Sequence, residues 1–208
     1  MTPRLSPVLS RRDFPRPELD AIRLDGDAFP LDDCIVPIDE IPGPALRAAV
    51  LAVELPPRLI AEQHSAAWVW GAIPFPPTRH QVCADISARS RPAIGLQLAV
   101  REVVILHEDV LELAGAVITT PLRTAIDLAR FVIEWDDGEL DTVAALMTVG
   151  GFGALDCARV MNRRRNLPGK VMALARLAAA ADRAGGADGV GSTDGIGRAN
   201  GIGRAASG

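Results

Sequence analysis

The feature that most constrains the fold is a proline set between two threonines and an amphipathic run. Residues 119–130 read Thr-Thr-Pro-Leu-Arg-Thr-Ala-Ile-Asp-Leu-Ala-Arg. A threonine directly before a proline is typical of a helix start. Its hydroxyl can accept a hydrogen bond from a free backbone N–H, and proline at the first helical position has no N–H to leave unpaired. The sequence therefore predicts a helix over residues 121–133, with Thr120 as its N-cap and Pro121 at its first position.

Two charged residues of this helix, Arg123 and Asp127, lie four positions apart and so share one helix face. The acid follows the base, which is the less favourable order for an exposed pair. A solvent-exposed pair in this order would stabilise the helix little, so exposure does not explain why the two residues are there. We expect Arg123 and Asp127 to hold the fold together rather than to act on a ligand.

Bulk composition favours a soluble globular protein of one ordinary domain with an appendage. Apolar residues make up 49% of the 208 residues and charged residues 23%. No apolar run approaches the roughly 18 residues of a membrane span, and no apolar segment follows the first arginines as in a secretory signal. Three scattered cysteines, Cys34, Cys83 and Cys157, are typical of buried thiols in a reducing compartment. We expect a cytoplasmic protein with no membrane contact.

The first 43 residues are acidic, with nine acids against five arginines. A nucleic-acid-binding domain usually shows a basic face instead. Short apolar runs at residues 21–24 and 34–38, joined by Asp25-Gly26-Asp27, predict a hairpin. Residues 14–22 are the nearest candidate for a recognition helix, but Pro15 and Pro17 argue against a helix there. The hairpin is therefore expected to be a short cap.

From residue 44 onward the pattern is that of an α+β protein. A small, mainly antiparallel sheet packed by helices is followed by a helical C-terminal part and a disordered tail. Helices are predicted over residues 44–55, 64–70 (with Ser65 as cap and Trp68 and Trp70 in the core), 121–133, 139–147, 154–165 and 168–183. Strands are predicted over residues 59–61, 81–86, 96–106 and 116–119, with turns at 90–92 and 107–109.

These elements suggest three segments along the chain. Residues 1–43 form the N-terminal segment and residues 44–184 the α+β domain. Residues 185–208 repeat Gly, Ala, Asp and Arg and cannot bury enough apolar area to order, so they are predicted to be a disordered tail.

The usual signatures of catalysis are missing from the sequence. His64, His80 and His107 do not stand at metal-ligand spacing from one another or from a cysteine. The glycines around residue 196 follow no strand and open no helix, so they fail as a dinucleotide-binding loop. The triplet at residues 107–109 is expected to be a solvated turn. We expect a protein that is not an enzyme, with no cofactor and no metal.

One basic cluster could bind a partner. Its members are Arg159, Arg163, Arg164, Arg165, Lys170 and Arg176. Basic residues at a helix C-terminus offset the negative end of the helix dipole, which explains one arginine better than three. A partner carrying phosphate or carboxylate groups explains three better. The sequence leaves the two explanations equal.

The run at residues 119–130 also resembles a family signature, that of AbiE-type antitoxins of type IV toxin–antitoxin systems and their actinobacterial relatives. Residues 65–74, Ser-Ala-Ala-Trp-Val-Trp-Gly-Ala-Ile-Pro, resemble a second family motif, and the similarity covers about residues 58–180. On this resemblance, a scaffold role is implied for Ser65, Trp68, Gly71, Thr120, Pro121, Arg123, Thr124 and Asp127.

The resemblance implies an antitoxin that neutralises a nucleotidyltransferase-like toxin, with a winged helix at the N-terminus that represses the operon. Here the N-terminal segment is eroded and acidic, so the resemblance supports toxin neutralisation more than transcriptional regulation. Candidate contact residues are Arg159, Arg163, Arg164, Arg165 and Lys170. A DNA-binding regulator that uses residues 159–176 is the alternative, and an orphan relative without a partner is another.

Overall fold

The computed structural model describes residues 7–86, 98–163 and 167–188. Its main part is a five-stranded mixed sheet that packs against helices, and a layer of C-terminal helices lies next to it. The helices are α1 Arg16–Leu24, α2 Pro44–Glu54, α3 Gln63–Trp70, α4 Pro121–Phe131, α5 Asp137–Gly150, α6 Ala154–Arg163 and α7 Lys170–Asp188. The strands are β1 Ala28–Leu31, β2 Cys34–Pro37, β3 Ile60–Ala61, β4 His80–Asp85, β5 Leu98–Val103, β6 Val110–Leu113 and β7 Ala116–Thr119.

The predicted α+β class is confirmed. Strands β1 and β2 form an antiparallel hairpin, and the other five strands form a sheet in the order β5-β4-β3-β7-β6. Within the described residues, the β1–β2, β3–β4 and β6–β7 pairings are antiparallel. The β3–β7 and β4–β5 pairings are parallel, which makes the larger sheet mixed.

Two hydrophobic clusters hold these layers together. The first joins the sheet to α2 and α3 and is centred on Leu51, Trp68 and Ile118, each fully buried. The second joins α4 to the C-terminal helices through residues such as Leu128 and Leu177. Since α3 contributes to both clusters, the sheet and the helical layer form one continuous core around it.

The start of α4 is as the sequence predicted. The Thr120 hydroxyl accepts a hydrogen bond from the Arg123 backbone N–H at 3.3 Å, and Pro121 occupies the first turn. The helix follows the end of β7 directly and ends at Phe131, two residues before the predicted end. A local signal therefore placed the start of this helix directly after strand β7.

The N-terminal segment differs from its prediction. Residues 16–24 form α1 rather than a strand, and Pro15 and Pro17 begin this helix instead of breaking it. Pro15 is the extended N-cap and Pro17 lies in the first turn, where a missing N–H costs nothing. The hairpin is displaced along the chain, with its turn at Asp32-Asp33 rather than at residues 25–27.

Further differences concern single elements. The N-cap of α3 is Glu62, so Ser65 is not the cap; its hydroxyl accepts a hydrogen bond from the Gln81 backbone N–H instead. Residues 107–109 form a 3₁₀ turn in which Asp109 is buried, and the next strand, β6, was not predicted. The tail prediction is wrong for residues 185–188, which continue α7. Residues 189–208 and the turn at 90–92 lie outside the described residues.

Among the described helices, no single one is both long and apolar enough to cross a membrane. Helices α5 and α6, which meet at 90°, pass that test only as a bent pair, by length and composition.

Candidate functional site

A charged network runs from the sheet into α4. Its members are Glu62, Arg101, Asp109, Arg123, Asp127 and Arg130. They come from the end of β3, from β5, from the 3₁₀ turn and from α4, so their positions in the sequence are far apart.

Arg123 is the centre of the half of this network nearest the 3₁₀ turn. Its Nε donates to Asp127 Oδ2 at 2.9 Å, and its Nη1 donates to Asp109 Oδ2 at 2.6 Å. All three side chains are at least nine-tenths buried. The pairing of Arg123 with Asp127 that their spacing indicated is therefore present, with a second carboxylate that the sequence did not reveal.

Arg101 forms the other half. Its Nε and Nη2 donate to the two carboxylate oxygens of Glu62 at 2.7 and 2.6 Å, and Nη2 lies 3.5 Å from Asp127. The guanidinium also lies 4.3 Å from the centre of the Phe131 ring. This fork of two parallel hydrogen bonds fixes β5 against the residue that begins α3.

The network is balanced in charge, because its three arginines face three carboxylates. Arg130 completes it, with Nη1 3.7 Å from Asp127 Oδ1. Burial by itself lowers the pKa of Arg123, but the carboxylates of Asp127 and Asp109 outweigh it, and the pKa stands above its ordinary value. Such a balanced, buried set is suited to holding elements in register rather than to proton transfer at neutral pH.

The remaining motif residues surround this network and are also engaged within the fold. The hydroxyl groups of Thr119 and Thr124 form a hydrogen bond of 2.7 Å, and Trp70 Nε1 donates to the Thr119 carbonyl at 2.9 Å. Gly71 ends α3 with φ of 81°, a left-handed conformation that favours glycine. Arg47 donates to the Trp68 carbonyl in the last turn of α3. These contacts support the scaffold role predicted for the motif residues, which stays a prediction.

The basic cluster divides into engaged and available members. Arg176 donates from Nη1 to the Ala129 and Val132 carbonyls at the end of α4, and Arg159 pairs with Asp156 on the surface. Arg163 is exposed at the end of α6, and Lys170 is partly exposed at the start of α7. Within the described ranges, neither of these two has an ion-pair partner. Arg164 and Arg165 lie outside the described residues.

A histidine joins α3 to α5. His64 Nε2 lies 2.7 Å from Glu139 Oε1, and Nδ1 lies 3.0 Å from Gln81 Oε1. The hydrogen bond with Glu139 raises the pKa of His64, although burial opposes the shift. This contact joins the sheet side of the molecule to the helical layer.

A second polar cluster lies where the N-terminal hairpin meets the core, and it contains Asp32, Cys34, Glu54 and His80. His80 Nε2 lies 2.7 Å from Asp32 Oδ2, and the Cys34 thiol donates to Glu54 Oε1 at 3.8 Å. Burial and then the charges of Asp32 and Asp33 raise the pKa of Glu54 to about 7. Burial and the charge of Glu54 raise the pKa of the Cys34 thiol to about 12, so this thiol is not a reactive thiolate.

With this geometry established, the chain can be compared with known families. Residues 59–160 match the AbiEi antitoxin C-terminal domain. Over these residues the chain is similar to antitoxins of the AbiEi family. No curated protein matches the chain.

The match to this antitoxin domain begins just before β3 and ends within α6. It includes all six residues of the charged network, so the network belongs to the matched domain. It excludes α1, the hairpin and α2, as well as Arg163 and Lys170. Sequence reasoning found Arg123 and Asp127 but missed Glu62, Arg101 and Asp109. An arginine in the middle of a mostly apolar strand was the one available signal, because such a residue needs a buried partner.

Proposed function

We propose that the chain is an antitoxin that neutralises a cognate toxin with a nucleotidyltransferase-like fold, as in type IV toxin–antitoxin systems. The observation that carries the proposal is the match of residues 59–160 to the antitoxin domain.

The contact surface we propose is the junction of α6 and α7. Arg163 and Lys170 lie on either side of the short connection between these helices, and neither is used in an ion pair within the described residues. Arg164 and Arg165 follow Arg163 directly in the sequence. A partner that carries phosphate or carboxylate groups would complement this charge.

The test is a pull-down with the tagged full-length chain from its own host, washed at low and at high salt. Arg163→Glu/Lys170→Glu is the test variant, and Arg11→Glu/Arg23→Glu is its control. The control makes the same change in net charge at two exposed arginines of the N-terminal segment. We expect wild type and control to retain a nucleotidyltransferase-like protein at high salt and the test variant to lose it.

The same experiment separates the competing function. A DNA-binding regulator would retain DNA at low salt and release it steeply as salt rises, because neutralised phosphates release counterions. Retention of DNA without a stable protein partner would therefore favour the regulator. Equal capture of the toxin by wild type and by Arg163→Glu/Lys170→Glu would reject the proposed surface, and no capture in either wash would favour the orphan.

A further inference from the structure

A histidine and two carboxylates from three separate elements lie close together. None of the three belongs to the charged network described above. Asp32 comes from the hairpin turn, Glu54 is the last residue of α2, and His80 is the first residue of β4. One ligand atom of each side chain lies within 4.8 Å of the other two. Asp32 has φ of 58°, which places this turn residue in the left-handed region that aspartate tolerates.

Among the described residues, acidic groups outnumber basic groups at this point. Asp32 and Glu54 face His80, and Asp33 adds a further carboxylate beside them. The C-terminal end of α2 contributes the negative end of a helix dipole at the same place. Within the described residues, neither Asp32 nor Glu54 pairs with an arginine or lysine. The charged network, by contrast, provides an arginine for every carboxylate.

The histidine is also held as a metal-binding histidine usually is. Its Nδ1 lies 2.9 Å from the Ser65 hydroxyl, which leaves Nε2 directed at Asp32. When Nδ1–H donates to the Ser65 hydroxyl oxygen, this second hydrogen bond orients the ring and leaves the Nε2 lone pair for a metal ion. The centroid of the Trp68 ring lies 6.3 Å from that of the His80 ring, so Trp68 flanks the imidazole on the core side.

We propose that Asp32, Glu54 and His80 bind one divalent transition-metal ion, such as Zn²⁺, which fastens the N-terminal hairpin to the core. The imidazole ligand favours zinc and its transition-metal neighbours, whereas a site of oxygen ligands alone would suit magnesium or calcium. Ligands about 2.1 Å from a tetrahedral ion lie roughly 3.4 Å apart. Asp32 and His80, now 2.7 Å apart, would therefore separate slightly to admit the ion. This differs from the sequence-based expectation of no metal, which considered only spacing from other histidines and cysteines.

The test uses the full-length chain without a histidine tag, stripped with chelator and titrated with Zn²⁺ by calorimetry. Parallel titration with Co²⁺ gives an absorption spectrum that reports nitrogen and oxygen ligation directly. We expect one ion per chain and a melting temperature that rises with free Zn²⁺, because the ion binds only the folded state.

The ligand variants are Asp32→Asn, Glu54→Gln and His80→Gln, and each should weaken Zn²⁺ binding on the order of 100-fold or more, beyond the usual effect of a residue that only orients a ligand. The controls are Asp25→Asn, which makes the same charge change at an exposed aspartate outside the cluster, and His64→Gln, which removes a histidine elsewhere. Both should bind as wild type does. Glu54 is partly exposed at a helix end, so its variant is expected to fold even if His80→Gln does not.

The absence of saturable Zn²⁺ binding to the wild-type chain would overturn the proposal. Equal binding by wild type and the folded ligand variants would also overturn it, since the ion would then lie elsewhere. Neither result bears on the antitoxin proposal, which rests on a different part of the chain.

Discussion

Replacement of Asp127 by alanine tests the structural role of the charged network. Asp127 is 1% exposed and lies 2.9 Å from Arg123 Nε and 3.5 Å from Arg101 Nη2. Removal of one partner of a buried pair costs about 3–5 kcal/mol, because a charge is left buried without compensation. Arg123 retains Asp109 and Arg101 retains Glu62, so the loss should lie near the lower end, about 3 kcal/mol.

The expected change in melting temperature follows from the size of the chain. For a protein of this length each kcal/mol shifts the midpoint by roughly 2–4 °C, which gives a fall of about 6–12 °C. Differential scanning calorimetry or circular dichroism measures it. Asp20→Ala is the control, because its pair with Arg16 is exposed and should leave the midpoint unchanged. An unchanged midpoint for Asp127→Ala, with loss of partner binding, would refute the reasoning and place Asp127 at the binding site.

Two further predictions concern local contacts. Thr120→Ala should destabilise the protein by about 1 kcal/mol through loss of the α4 cap, whereas Thr120→Ser should keep most of it; equal denaturant midpoints for the two variants would contradict the cap. The contact with Glu139 raises the pKa of His64, so its stabilisation is complete below the ordinary histidine pKa of about 6.5 and is lost as pH rises through the folded value. The difference in melting temperature between wild type and Glu139→Gln should therefore shrink as the pH rises above about 6.5, and a difference that grows with pH would contradict this assignment.

What the sequence predicted well depended on neighbouring residues. The cap and proline that start α4 act within one turn, so Thr120 and Pro121 were sufficient to place the helix. The strand Ala116–Thr119 was placed correctly for the same kind of reason, a short β-branched run directly before the cap. Pro15 and Pro17 were misread because proline has opposite meanings at the start and in the middle of a helix.

What the sequence did not predict depends on residues that are distant along the chain. The fork between Arg101 and Glu62 spans 39 positions, and no local pattern specifies it. Asp109 looked like part of a solvated turn because its partner, Arg123, is 14 positions away. The parallel pairing of β4 with β5 and the meeting of Asp32 with His80 likewise arise from tertiary packing.

Neutralisation of the toxin itself is the most direct test of the antitoxin account. The toxin recovered from the host would be expressed alone and together with this chain, and growth of the cells would be followed. The account predicts that the wild-type chain and Arg11→Glu/Arg23→Glu relieve growth arrest, while Arg163→Glu/Lys170→Glu does not. Relief by all three chains would keep the antitoxin role and reject the basic contact surface, and growth arrest that persists with the wild-type chain would contradict the account.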